Sequence, residues 1–315
     1  MPALFLMLAM LAQSEDIFVR LRQAMPDKGA GEQALSALSA KNFARVEELL
    51  AEVQAPDRPG RAELLSLQGA VAFLAGNMSA AVKAFDQASQ FAPLKDADSF
   101  TLAMALVQLR DEPRARSVIA SLSKKHPDRA LYLYWLGKID YNDRRYDEAV
   151  QKLKKASDLD PGSARVWDSL GLAFDMQGQM EQALEAFEKA ATLNRSQSHP
   201  SPWPPHDLGY LLLRMDKPNE AVAALRESVG YDGNLAQSHY HLGRALEKEG
   251  RETDAVNEYV SAVADDRQAP DACYSLGMLY RKLHRNKEAG AMFAEFKKRK
   301  EAQTVPDLTR QRDAK

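Results

Sequence analysis

Cysteine is almost missing from this 315-residue sequence; Cys273 stands alone, so no internal disulfide can brace the fold. A surplus of either charge is missing too. Forty-two Lys and Arg against 44 Asp and Glu leave a formal net charge of −2, without the basic excess that grips a phosphate backbone, so nucleic acid is not the expected partner. The short signatures of chemistry are absent: there is no GxxxxGK phosphate loop, no GxGxxG after a strand, no HExxH and no CxxC. The six histidines are scattered (His126, His199, His206, His239, His241, His284), and no pair has the helical spacing of a metal site. No strand-rich segment exists to carry a catalytic domain. These absences point away from an enzyme, a metal centre and a small-molecule cofactor.

What is present is a period. Ala81, Ala115, Ala149, Ala183, Ala221, Ala255 and Ala289 recur every 34 residues, with a single step of 38 between the fourth and fifth. Twelve residues before each stands a small residue: Gly69, Ala103, Gly137, Gly171, Gly209, Gly243 and Gly277. A fixed period of this length is the mark of a repeat array built from helical hairpins. In the unit from Ala164, Trp167, Leu170, Gly171 and Phe174 share one face of a first helix. Gly178 then breaks that helix, and Ala183, Phe187 and Ala190 line a second. Small residues at 171, 183 and 190 let the two axes approach, and Pro161 closes the preceding unit.

This pattern of Trp, Leu-Gly, aromatic, Ala, Phe and Ala resembles the tetratricopeptide repeat. The resemblance implies an all-α fold, a right-handed superhelical solenoid of antiparallel helix pairs, with regular units starting at 62, 96, 130, 164, 202, 236 and 270. The units from 96 and 202 depart most from the pattern. A solenoid also explains how so long a chain dispenses with one central core, since each repeat buries surface only against its neighbours.

Around this array, spanning 61–301, lie three less regular stretches. Residues 2–12 are apolar on every side but too short to cross a bilayer, which needs about 20 residues. They fit the apolar core of a secretory signal covering 1–14, with Ala12-Gln13-Ser14 as the cleavage site, or else a helix that plugs the first repeat. The signal would make the protein periplasmic or secreted; the plug would leave it cytoplasmic. Residues 15–60 read as a divergent helical cap, out of register with the array, with helices over 31–40 and 42–53 and a linker from Pro56 to Gly60. Residues 302–315 read as a polar tail, after a charged run from Lys297 to Lys300 that suits a solvated helix face.

Two further details are legible. Cys273 and His239 occupy positions where the resembled family buries a large residue, so both read as packed. The long step of 38 contains Pro200, Pro202, Pro204 and Pro205, which cannot lie in a helix interior and so form an extended loop leading into a shortened helix, whose first turn can still hold Pro204 and Pro205. Trp203 there is either exposed toward a ligand or tucked under the loop as a plug.

In the resembled family the first helices line an inner wall, exposed at unit positions 2, 5, 9 and 12. Here these positions supply Phe100, Met104, Tyr134, Lys138, Tyr141, Arg165, Asp168, His206, Tyr210, Tyr240, Arg244 and Tyr274. Tyrosine and arginine are frequent interface anchors; the alternative is that the rings pack between neighbouring first helices. The Lys-and-Asn clamp that some members of the family use for a terminal carboxylate is absent. The expected function is a non-catalytic adaptor that binds a peptide or protein segment in the groove. The alternatives are a structural component that self-associates or stacks into a larger envelope assembly, and an accessory subunit of a separate enzyme.

Overall fold

The computed structural model describes residues 17–25, 27–53, 58–265 and 270–304. The expected signal over 1–14 and the end of the tail from 305 lie outside the described residues. Among those described there are seventeen α-helices and no strand. A first helix, α1, covers 17–24. The rest run in pairs: α2 (Lys28–Ser39) with α3 (Phe43–Ala51), α4 (Arg58–Leu74) with α5 (Met78–Ser89), α6 (Asp96–Gln108) with α7 (Glu112–Lys125), and α8 (Ala130–Asn142) with α9 (Tyr146–Leu159). Then follow α10 (Ala164–Met176) with α11 (Met180–Arg195), α12 (Trp203–Arg214) with α13 (Pro218–Tyr231), α14 (Ala236–Lys248) with α15 (Glu252–Asp265), and α16 (Pro270–Lys282) with α17 (Asn286–Thr304). The chain forms two compact units, 1–139 and 140–315.

One turn is repeated in every hairpin. The fifteenth residue of each regular unit (Gly76, Arg110, Arg144, Gly178, Asp216, Gly250, His284) is left-handed, with φ between 59° and 80°. In the unit from 164, the N–H of Gly178 donates to Asp175 O at 2.9 Å and that of Gln179 to Phe174 O at 3.0 Å. This pair of bonds satisfies carbonyls that the end of a helix leaves without partners. The next residue often caps the second helix: the side chains of Asn77 and Asp111 accept from the N–H groups of Ala80 and Arg114.

The same turn gives a register to the helix pair expected over 31–40 and 42–53. Lys41 is left-handed at φ 57°, the Asn42 N–H donates to Ala37 O at 2.8 Å, and the Asn42 side chain caps α3. Counted from position 27, Ala34, Val46 and Leu50 fall where the regular units place their Gly, Ala and large residue, and all three are fully buried. Residues 27–53 are therefore an eighth hairpin, one residue out of phase, whose alanine at 34 and valine at 46 hide the period. The expected linker also shrinks, because Arg58, Pro59 and Gly60 already form the first turn of α4.

Hairpin packing rests on one close contact. A Cβ added at Gly171 would lie 2.6 Å from Phe187 Cδ1, one at Gly243 2.7 Å from Tyr259 Cδ1, and one at Gly209 2.5 Å from Leu225 Cγ. Those distances are below any real carbon contact, so the glycine is what lets the large side chain of the second helix lie against the first. The unit from 96 solves the problem differently, setting Ala103 opposite the narrower Ile119, both fully buried.

The proline-rich insertion is pinned rather than loose. Asn194, 1% exposed, donates from Nδ2 to Ser201 O and accepts from Ser201 N–H, both at 2.8 Å. Pro202 O then accepts from the Ser228 hydroxyl at 2.8 Å and from the His206 N–H at 3.2 Å. With its carbonyl so held, Pro202 starts α12 one residue before Trp203, and Pro204 and Pro205 occupy the first turn, where missing N–H groups cost nothing.

Candidate functional site

The inner positions behave differently in the two units. In the first unit many of them are buried, although Leu131 is 42% exposed. Ser66, Ala70 and Phe73 of α4 and Met104 of α6 are all buried, between 2% and 7% exposed. Arg20 of α1 reaches these helices, donating from Nε to Glu63 at 2.6 Å and from both terminal nitrogens to Asp98 at 2.9 and 3.0 Å. Ile17, Leu21 and Met25 bury the same side of α1 in the core of this unit. Phe100 is half-buried against the Tyr132 ring at 5.7 Å. Tyr134, expected on an open wall, is 5% exposed and packs edge-on to Trp135 at 5.5 Å. Lys138 is half-buried.

In the second unit the inner positions open onto a cavity of about 580 Å³. Tyr141 of α8, Asp175 of α10, Trp203 and Tyr210 of α12, Tyr240 of α14 and Asp271 of α16 all line it. These residues fall at positions 2, 5, 9 and 12 of their units, so successive first helices bring them to one surface. Trp203, half-buried, lies edge-on to His206 at 5.5 Å and lines the cavity. Among the expected residues, Tyr141, His206, Tyr210 and Tyr240 come together here. Arg244 sits over the Tyr240 ring at 5.8 Å, while Arg165, exposed, and Asp168, buried, lie outside the lining. Tyr274, 47% exposed, stacks instead on Phe296 of the last helix at 5.3 Å.

Sequence reasoning missed the centre of this wall. The His241 ring lies 4.7 Å from Tyr210, 5.1 Å from Tyr240 and 5.4 Å from His206, and its Nδ1 is buried without a hydrogen-bond partner. It sits at the sixth position of its unit, beside the expected stripe, and only the contact with His206 across the repeat reveals it. Burial pushes His206 down to about 4, and burial, His206 and Arg244 push His241 down to about 3, so both imidazoles are neutral at pH 7.

A hydrogen-bond chain fixes the tautomer of the first imidazole. The Ser228 hydroxyl donates to Pro202 O, so its oxygen must accept from Ser238 at 2.7 Å. Having spent its proton, Ser238 accepts from His206 Nδ1–H at 2.8 Å. His206 Nε2 is therefore the bare, accepting nitrogen. His239, by contrast, is packed as expected, bonded to Glu258 at 2.6 Å and Gly233 O at 3.0 Å. Cys273 is fully buried, and burial raises its thiol. Among the described residues no group of His, Cys, Asp and Glu could hold a metal ion, and no helix is long and apolar enough to cross a membrane.

Helix hairpins in register, with successive first helices building a lined wall, define an array whose work is done by its surface. The tetratricopeptide repeat model matches residues 100–164, 138–198 and 206–272, together more than half of the chain. The chain belongs to the tetratricopeptide repeat family, a family of protein–protein interaction scaffolds. Over 108 residues it is 35% identical to the type IV pilus assembly protein PilF of Pseudomonas aeruginosa, covering 32% of this chain and 41% of that one. Over 197 residues it is 22% identical to the Drosophila melanogaster homologue of the BBSome complex member BBS4, covering 59% and 40%. The chain thus spans about two fifths of the length of these curated relatives. In fold it is similar to a tetratricopeptide repeat protein of Parabacteroides merdae, at a TM-score of 0.63 and 15% identity, covering 80% of this chain and 98% of that one.

Proposed function

We propose that the protein is a non-catalytic adaptor that holds an extended segment of another protein against the inner wall of residues 140–315. The observation behind this reading is the cavity itself, lined at inner positions from five successive first helices and rich in Trp and Tyr. Aromatic rings offer large contact area at low entropic cost, and helices already packed lose little freedom on binding. The buried inner positions of α4, with Met104 and Tyr134, support a lesser part for the first unit. The test is a photo-crosslinker placed at Tyr210 on the wall and, as a control, at Val260, which is 45% exposed on α15. In extract of the native source, discrete adducts should form from position 210 and not from 260. Equal labelling at both positions refutes the reading.

The resemblance to a pilus assembly protein favours a second reading, a structural part of a larger assembly. A chain lacking α1–α3 would then lose its place in that assembly while keeping the adducts at position 210.

A further inference from the structure

We propose that the cavity of the second unit is a seat for the guanidinium of an arginine side chain carried by the bound segment. This rests on the groove reading above and adds the chemistry of what enters it.

Three carboxylates line the cavity, Asp175, Asp207 and Asp271, against one cation, Arg214. That cation is spent: Arg214 Nη1 contacts both oxygens of Asp175 at 2.5 Å. Asp271, in the first turn of α16, has no ion pair among the described residues. The two imidazoles add no positive charge, since burial holds both neutral. The hydrogen-bond chain through Ser228 and Ser238 leaves His206 presenting an acceptor as well. A site dominated by acceptors and negative charge calls for a ligand that donates and is positive.

The rings decide between the two cationic side chains. Trp203, Tyr210, Tyr240 and Tyr141 line the cavity with rings, two of which already carry a guanidinium (Arg214 over Tyr210, Arg244 over Tyr240), and a planar, weakly hydrated guanidinium stacks on such rings better than a compact ammonium. The wall already contains the arrangement in miniature. Arg214 lies 5.7 Å over the Tyr210 ring while bound to the Asp175 carboxylate, so a carboxylate and a tyrosine here hold a guanidinium between them. Asp271 lines the same cavity as these rings with no arginine paired to it among the described residues.

The test uses the full chain labelled at the tryptophan indoles, with the Trp203 signal assigned by Trp203→Phe. It is titrated with short Ala/Ser peptides identical except for a central Arg, citrulline, Leu or Glu. The arginine peptide should shift the Trp203 indole and bind about tenfold tighter than its citrulline isostere, the gain of one desolvated cation–π and ion-pair contact. Asp271→Asn, an exposed substitution whose fold is checked by the remaining amide signals, should erase most of that preference. Equal binding of the citrulline or leucine peptide, still felt at Trp203, overturns the arginine seat and leaves the groove reading standing. Preference for the glutamate peptide overturns it as well. If no peptide moves any resonance of the wall, the seat and the groove reading both fail.

Discussion

The close approach of Gly171 to Phe187 can be broken with one methyl group. A Cβ at position 171 would meet the ring at 2.6, 2.7 and 3.0 Å, and Phe187, 1% exposed, could yield only by shifting toward the cavity it borders. Overpacking of this kind costs about 1–3 kcal/mol, and a clash with three atoms of a rigid ring belongs near the upper end. Replacing a helical glycine by alanine returns about 1 kcal/mol of helix propensity. Gly171→Ala should therefore destabilise by roughly 2 kcal/mol, a factor of about 30 in the folding equilibrium. The control is Gly290→Ala in α17, where an added Cβ meets nothing within 4 Å and the same substitution should stabilise by up to about 1 kcal/mol. The rescue is written in the chain itself, in the Ala103 and Ile119 pair. Phe187→Ile alone should cost about 1–2 kcal/mol for lost burial, yet in the Gly171→Ala background it should cost nothing or restore stability. Urea unfolding followed by far-UV circular dichroism gives the ordering, and hydrogen exchange of the α10 and α11 amides locates it. If Gly171→Ala behaves like Gly290→Ala, or the two substitutions simply add, the packing argument is wrong.

Other consequences can be measured on the same preparation. Because His206 titrates near 4 in the folded chain and near 6.5 when unfolded, its contribution is present above pH 6.5 and is lost as pH falls, by roughly 2 kcal/mol between pH 7 and 5; urea midpoints of wild type and His206→Gln should converge as the solution is acidified. Asp98→Ala leaves Arg20 buried without its bidentate partner and should cost about 3–5 kcal/mol, whereas Arg20→Met with Asp98→Leu should recover most of it, read by thermal unfolding. Arg110→Gly relieves a left-handed backbone that costs a side chain about 1 kcal/mol and should raise the urea midpoint. Cys273 should ignore a thiol reagent until the chain is unfolded, and early labelling would contradict its burial.

The fold was legible because the repeat multiplies weak signals. One glycine twelve residues before one alanine means little; the same offset in six units identifies both as members of a packed hairpin. The turn was less legible, since Arg110, Arg144, Asp216 and His284 adopt the conformation that only Gly76, Gly178 and Gly250 announce. The helix pair within 27–53 was legible but its register was not, for a related reason: Ala34 and Val46 do the packing of glycine and alanine without sharing their identity. The site was half legible. Helical spacing led to Tyr141, His206, Tyr210 and Tyr240, because position alone brings them to the wall. Spacing could not show that Met104 and Tyr134, at equivalent positions, are buried. Nor could it find the Arg20 contacts, which join residues 43 and 78 positions apart.

The irregular step in the array and the cavity belong together. Four extra residues separate the fourth unit from the fifth, and a shifted helix would turn its inner face out of line with its neighbours. Asn194 and Ser228 prevent this by holding Ser201 and Pro202 at fixed distances from α11 and α13, so α12 starts with Trp203 at the second position of its unit. The prolines that follow cannot donate from their nitrogens, and the first turn is where no intrahelical donation is required. A tryptophan thus stands on the wall where the units on either side carry Arg165 and Gln237. The carbonyl of Pro202 also anchors the hydroxyl chain that sets the His206 tautomer. Position in the repeat places the residues of the wall, and the interruption of the repeat supplies its largest ring and fixes the tautomer of His206.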